Sequence, residues 1–138
     1  MSLFNIFDIA GSGMRAQNVR LNLTASNLAN SESIASSPED VYRARHPVFS
    51  TVFHSTGNQQ NAVASVETVA IVESQREAPK RYEPGNPLAN EEGYIFGSNV
   101  DTIEEMTNMI SASRSYQTNV EIMNSSKKLL LETLKIGQ

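Results

Sequence analysis

"NVDTIEEMTNMISASRSYQTNVEIMNSSKKLLLETLKI" runs from Asn99 to Ile136 without a proline or a glycine. Such a run predicts one uninterrupted helix of about 34 residues, about 50 Å long at the α-helical rise. Asp101 offers an N-cap with Glu104 three residues on, the spacing of a capping box. Asp101, Glu104 and Glu105 suit the positive end of the helix dipole; Lys127, Lys128 and Lys135 suit the negative end. Gly137 is the expected stop. In steps of three and four the helix reads Met106, Met109, Ser113, Tyr116, Val120, Met123, Lys127, Leu130, Leu134, flanked by Ile103, Ile110 and Leu131. That is a heptad period and predicts coiled-coil pairing.

The other faces of this helix are unusual. Asn108, Ser111, Ser115, Gln117, Thr118 and Asn119 are polar but uncharged, and from Met106 to Val120 only Arg114 carries a charge. A solvated helix face is normally rich in charge. Uncharged polar groups can be buried in protein contacts when hydrogen-bonded. The pattern predicts a helix packed on several sides in an assembly. The methionines of the stripe also suit a groove for a partner helix, which gives an alternative reading as a cytosolic helical adaptor or chaperone.

The N-terminal segment has the same period: Leu3, Phe7, Ala10, Met14, Gln17, Leu21, Thr24, Leu28. Gly11 and Gly13 each weaken a helix by about 1 kcal/mol relative to Ala. The expectation is a helix that is firm from Met14 to about Ala29 and whose first turns, to about Gly13, fray when it stands alone. The Ser-rich stretch that follows, with Pro38, ends it. Asn27 and Asn30 sit at that end, where an Asn side chain can bond neighbouring backbone and can serve a subunit contact.

Between the helices, "HPVFSTVFH" (46–54) and "AVASVETVAIVES" (62–74) read as strands, the second with Val66, Thr68, Ala70 and Val72 on one face. "TGNQQN" (56–61) reads as their turn. "QREAPKRY" (75–82) reads as a solvated loop, and "YEPGNPLANEEGYIFGSN" (82–99) as loop with a short strand at Tyr94–Phe96. The fold class is α+β: long terminal helices paired as a coiled coil, bracketing a small β-rich module. The expected division is an N-terminal helix (1–30), a loop (31–44), the β-rich module (45–99) and a C-terminal helix (100–138). A module of roughly 50 residues has a marginal core.

Composition narrows the function. A net charge of −4 without a basic run argues against nucleic acid. With no cysteine there is no disulfide, thiolate metal site or cysteine nucleophile. His46 and His54 lie eight apart without a third ligand at a convincing spacing, and "GSG" (11–13) lacks the features of a phosphate loop. No catalytic constellation, metal, cofactor or small-molecule substrate is expected. Asp8 interrupts the N-terminal apolar residues and no basic region precedes them, so no cleaved signal peptide is expected. No stretch approaches the ~20 apolar residues of a membrane span.

"MRAQNVRLNLTASNLANSES" (14–33), centred on Ala25-Ser26-Asn27-Leu28-Ala29-Asn30, resembles the N-terminal signature of the flagellar axial family of rod and hook proteins. "VYRARHPVF" (41–49), "YEPGNPLANEEGY" (82–94) and "NMISASRSYQTNVE" (108–121) extend the resemblance over nearly the whole chain and, with its short length, toward the family's proximal-rod members. The resemblance implies a non-enzymatic structural subunit of the bacterial flagellar basal body. It implies export through the flagellar type III apparatus without signal cleavage and assembly in the periplasm into a tubular drive shaft around the export channel. Its implied partners are other copies of itself, neighbouring rod proteins and the ring-to-rod junction protein. The expected coiled coil sets Leu3, Phe7, Met14, Leu21 and Leu28 against Met106, Met109, Tyr116, Val120, Met123, Leu130 and Leu134. Ser26, Asn27, Ala29, Asn30, Ser113, Arg114, Gln117 and Asn119 are the expected subunit contacts.

Overall fold

The computed structural model describes residues 3–55 and 62–136. Helix α1 (Leu3–Ala29) and helix α2 (Thr102–Ile136) come from the two ends of the chain. Between them lie strands β1 (Ile34–Ala35), β2 (Arg45–Ser55), β3 (Ala62–Glu73), β4 (Lys80–Tyr82) and β5 (Tyr94–Gly97). The fold is α+β, with two long terminal helices and antiparallel sheets between them. The expected turn at 56–61 and the expected stop at Gly137 lie outside the described residues.

Helix α2 starts where its cap dictates. The Asp101 carboxylate accepts from the backbone N–H of Ile103 (2.9 Å) and of Glu104 (3.1 Å), filling two donors that the first turn leaves open. Glu104 does not complete a capping box by reaching back; it faces Arg76 at 3.6 Å. In the folded chain helix α1 is continuous from Leu3 through Gly11 and Gly13, the turns expected to fray when the helix stands alone. The reason is packing: Ala10, Ser12 and Ala16 are all buried, because α1 is covered on one side by α2 and on another by the β2–β3 ribbon.

The β region is two sheets. β2 and β3 form an antiparallel ribbon, and β1, β5 and β4 form a three-stranded sheet in that order. Ile95, at the centre of the second sheet, is fully buried. Gly93 turns the chain into β5 with φ +80°, and a Cβ there would stand 2.9 Å from the Tyr82 ring, so the position needs glycine on both counts. Two strands differ from expectation. Ile34–Ala35 pairs with β5 although 31–44 reads as loop, and Lys80–Tyr82 pairs with β5 although 75–82 reads as solvated loop. Strands of two and three residues are too short to show an alternating pattern, and cross-strand pairing holds them instead.

The ribbon carries a further difference. Val48 pairs with Ala70 and Phe49 with Thr68, which leaves Val69 as an extra residue on β3. This β-bulge reverses the alternation. Val66 and Thr68 share the face of Thr51 and Phe49, whereas Ala70 and Val72 share that of Val48 and His46. The single apolar face expected along 66–72 is therefore split between the two sides of the ribbon. Both sides keep exposed apolar residues: Phe53, Val69, Ile71 and Val72 are all open to solvent in the single chain.

Candidate assembly interface

The helices run antiparallel. Gly13 faces Asn119, and the Arg20 guanidinium donates to Asn108 Oδ1 at 2.8 Å. Their seam has small or polar residues at the most buried positions of α2. On α2 the buried positions are Glu105, Ala112 and Ser126, with Asn119 half-buried between them at the same spacing. Met109, Tyr116, Met123 and Leu130 fill the other half of the heptad. The expected stripe had this second set but placed the first one residue further on, at Met106, Ser113, Val120, Lys127 and Leu134. Met106 and Leu134 lie outside the seam, 53% and 61% exposed. Val120 and Ser113 flank it half-buried, as do Phe7, Met14, Leu21 and Leu28 on α1. The Leu3 side chain lies outside the described residues.

This register has a physical cause. Ala112, Ser126 and Gly13 leave room for close backbone approach, and a Cβ on Gly13 would sit 3.0 Å from the Asn119 amide nitrogen. Close approach is gained at the expense of seam hydrophobicity. Among the described residues, Arg20–Asn108 is the one side-chain hydrogen bond joining α1 to α2. Gln17 Oε1 is buried without a partner, which costs about 1–3 kcal/mol. Gly13→Ala gains helix propensity but presses on Asn119. We expect its effect on stability to become more favourable by about 0.5–1 kcal/mol in an Asn119→Ala background, measured as a double-mutant cycle by urea denaturation.

At the base of the pair the chemistry changes. Asn27, fully buried, pairs with the backbone of Arg45 at two points. Its Nδ2 donates to Arg45 O and its Oδ1 accepts from Arg45 N, both at 2.9 Å. The same Oδ1 accepts from the Tyr42 hydroxyl at 2.9 Å. That commits the phenol proton, so the Ser26 hydroxyl is the donor in its 3.2 Å contact with Tyr42. Asn99, just before α2, holds the preceding residue: its Oδ1 accepts from Ala44 N at 2.8 Å, and its Nδ2 donates to Arg76 O at 2.7 Å. The end of α1 and the start of α2 thus grip consecutive residues at the entry to β2. The buried Glu105 carboxylate adds a third tie, 3.9 Å from His46 Nδ1 on β2.

Asn27, expected at a subunit contact, is thus wholly internal, because its side chain completes backbone pairing that β2 lacks at its first residue. Asn30 caps its own helix by donating to Ser26 O at 2.8 Å. Ala29, Arg114 and Gln117 stand exposed, while Ser26, Ser113 and Asn119 are half-buried. Tyr42 and Asn99 are clasp residues that the sequence reading did not single out. Their only prior signal was position, each lying just outside an expected element.

The large apolar side chains face outward instead. Ile103, Met106 and Ile110 form an exposed row on the basal half of α2, at 79%, 53% and 55% exposure. Leu129, Leu131 and Leu134 are exposed near its far end. Counting from the Gly13–Asn119 contact, α1 ends opposite about Leu129, so the last turns of α2 extend beyond it. Contiguous exposed apolar surface of this kind marks an interaction site. Among the described residues, no group of three His, Asp or Glu could hold a metal ion, and no helix is long and apolar enough to cross a membrane.

Comparison with known proteins agrees with this geometry. Residues 7–32 match the family model of the flagella basal body rod protein, and residues 91–136 match that of the flagellar basal body rod FlgEFG protein C-terminal region. The matched segments contain most of α1 and all of α2. The chain is 48% identical to the flagellar basal-body rod protein FlgC of Salmonella typhimurium over 138 residues, with both chains covered completely. It is 47% identical to FlgC of Yersinia enterocolitica over 140 residues and 41% identical to FlgC of Buchnera aphidicola subsp. Acyrthosiphon pisum over 138, again with complete coverage. These relatives lend no support to the alternative of a cytosolic adaptor. With a rod signature on each helix and full-length similarity to three such subunits at 41% to 48% identity, the chain belongs to the FlgC family of flagellar basal-body rod proteins, structural components of the rod.

Proposed function

We propose that the chain builds the proximal part of the rod by burying the outward faces of its helix pair against neighbouring subunits. The observation that carries this is the exposed row of Ile103, Met106 and Ile110 on α2, while the buried positions of the intrachain seam on that helix are Glu105, Ala112 and Ser126. A second layer of helices would cover Ile103, Met106 and Ile110, and Ala29, Arg114 and Gln117 stand where they can contact the next subunit. The contact is heterologous and does not close on itself, as a helical tube requires. The tube surrounds the export channel and transmits torque from the membrane ring to the hook. The neighbours are further copies of this chain, other rod proteins and the ring-to-rod junction protein. The division into two helical arms (1–30 and 100–138), a connecting loop (31–44) and a β module (45–99) serves this use, with the arms forming the tube wall. A helix pair held by a polar seam also unfolds at low cost, which suits delivery to the periplasm through the flagellar type III export apparatus without a cleaved signal.

The test is deletion of the gene followed by imaging of isolated basal bodies. Membrane rings without a rod, and loss of swimming restored by the intact gene in trans, are expected. Complete hook-bearing basal bodies in the deletion strain would overturn the proposal.

A further inference from the structure

We infer that the cavity between α1, the start of β2 and α2 is a carboxylate socket, built around Arg20, that takes an acidic side chain of the next copy of this chain in the rod. The inference rests on the reading that neighbouring copies cover the subunit, and it names one chemical contact that joins them.

The cavity measures about 290 Å³ and is lined by Arg20 and Thr24 of α1, His46 and Phe49 of β2, and Asn108 of α2. Arg45 and Pro47 complete its wall. Arg20 is the cation there without an acid among the described residues. Arg45 holds Glu73 at 3.2 Å, and His46 faces Glu105 at 3.9 Å. The Arg20 guanidinium is half-buried, yet its one hydrogen bond to a described residue goes to a neutral acceptor, Asn108 Oδ1. A guanidinium carries five N–H donors in a planar fork that fits a carboxylate. Thr24 is 3% exposed, and its hydroxyl makes no hydrogen bond to a described residue. Donors thus converge on a cavity that no acid lines. Pro47 and Phe49 give it an apolar side, which strengthens an ion pair formed there. By contrast Arg15, Arg114, Lys127, Lys128 and Lys135 are exposed, where water satisfies an unpaired charge.

The chain itself supplies the occupant. Acids outnumber cations, for a net charge of −4. Asp8, Glu67, Glu121 and Glu132 stand exposed, and none forms an ion pair with a described residue. A heterologous contact joins two different patches of one chain, so a cationic socket on one copy can meet an acid on the next. Such a pair fixes register and partner choice.

The test uses an Arg20→Lys chain co-expressed with the wild-type chain, so that rods form from a mixture. Isolated basal bodies are treated with a carbodiimide, which takes up water as it joins an amine to a carboxylate in contact with it. The covalent dimer is then cut from a gel and its link located by peptide mass spectrometry. The expected link joins the introduced amine to an Asp or Glu of another copy, and is absent from the free subunit. As the sole copy, Arg20→Gln keeps a donor for Asn108 but no charge. Rods per cell should fall about tenfold, with the monomer's urea midpoint unchanged. A link to a different rod protein, a link only to an acid of the same chain, no link in the rods, or a normal number of rods with Arg20→Gln would each overturn the inference. Rods without the link leave the assembly reading standing; that reading falls only if the deletion strain still builds complete basal bodies.

Discussion

Asn27→Ala is expected to lower the stability of the monomer by about 3 kcal/mol or more, read as a fall in the urea midpoint. The side chain is fully buried, and its removal strands Arg45 N–H and Arg45 C=O together, while the Tyr42 hydroxyl loses one of its two partners and keeps Ser26. A buried group left without its partner costs about 1–3 kcal/mol. Some recovery by water is expected, because the Arg45 side chain is exposed. The total remains a large share of the roughly 5–15 kcal/mol that holds a typical domain together. Asn30→Ala is the matched control. It removes a single capping bond from a half-buried residue and should cost less than about 1 kcal/mol. Equal small effects at both positions would contradict the clasp.

Ile110→Asp should act in the opposite place. Ile110 is 55% exposed and α2 continues on either side of it, so the monomer should change by no more than about 0.5 kcal/mol. In the rod the new carboxylate would be carried into an apolar contact, at several kcal/mol per subunit less the part that the exposed Arg114, one turn on, returns. In a heterologous contact, as proposed, the penalty would recur at every step of the tube. We expect an unchanged circular dichroism spectrum and urea midpoint, with no rod in isolated basal bodies and no swimming. Normal swimming would remove this face of α2 from the interface.

The two helices were legible because their signals are local. The absence of Pro and Gly from Val100 to Ile136 and the Asp101 cap were enough to place α2. Which face points inward was only half legible. A hydrophobic stripe identifies the core when the chain is its own environment. Here the strongest apolar positions, such as Met106 and Leu134, serve no intrachain contact, and the seam runs one residue earlier, through Ala112 and Ser126. A hydrophobic stripe follows side-chain size, whereas the closest packing on α2 is at Ala112 and Ser126. Asn27 was noticed at the end of the first helix, but its role depends on Arg45, eighteen residues away and brought close only by the fold. The extra residue at Val69 left no trace in the sequence, since no glycine marks the bulge.

The outward face of α2, open in the free chain, is expected to be covered in the rod. The chain has no cysteine, so an Ile110→Cys variant carries one thiol at that face, and its maleimide labelling rate reports the cover directly. The rate should fall by about tenfold or more between the free subunit and isolated basal bodies, as expected for a residue packed into an interface core. The same rate in both would mean that α2 keeps this face open in the assembly, and the account of how the rod is built from this chain would be wrong.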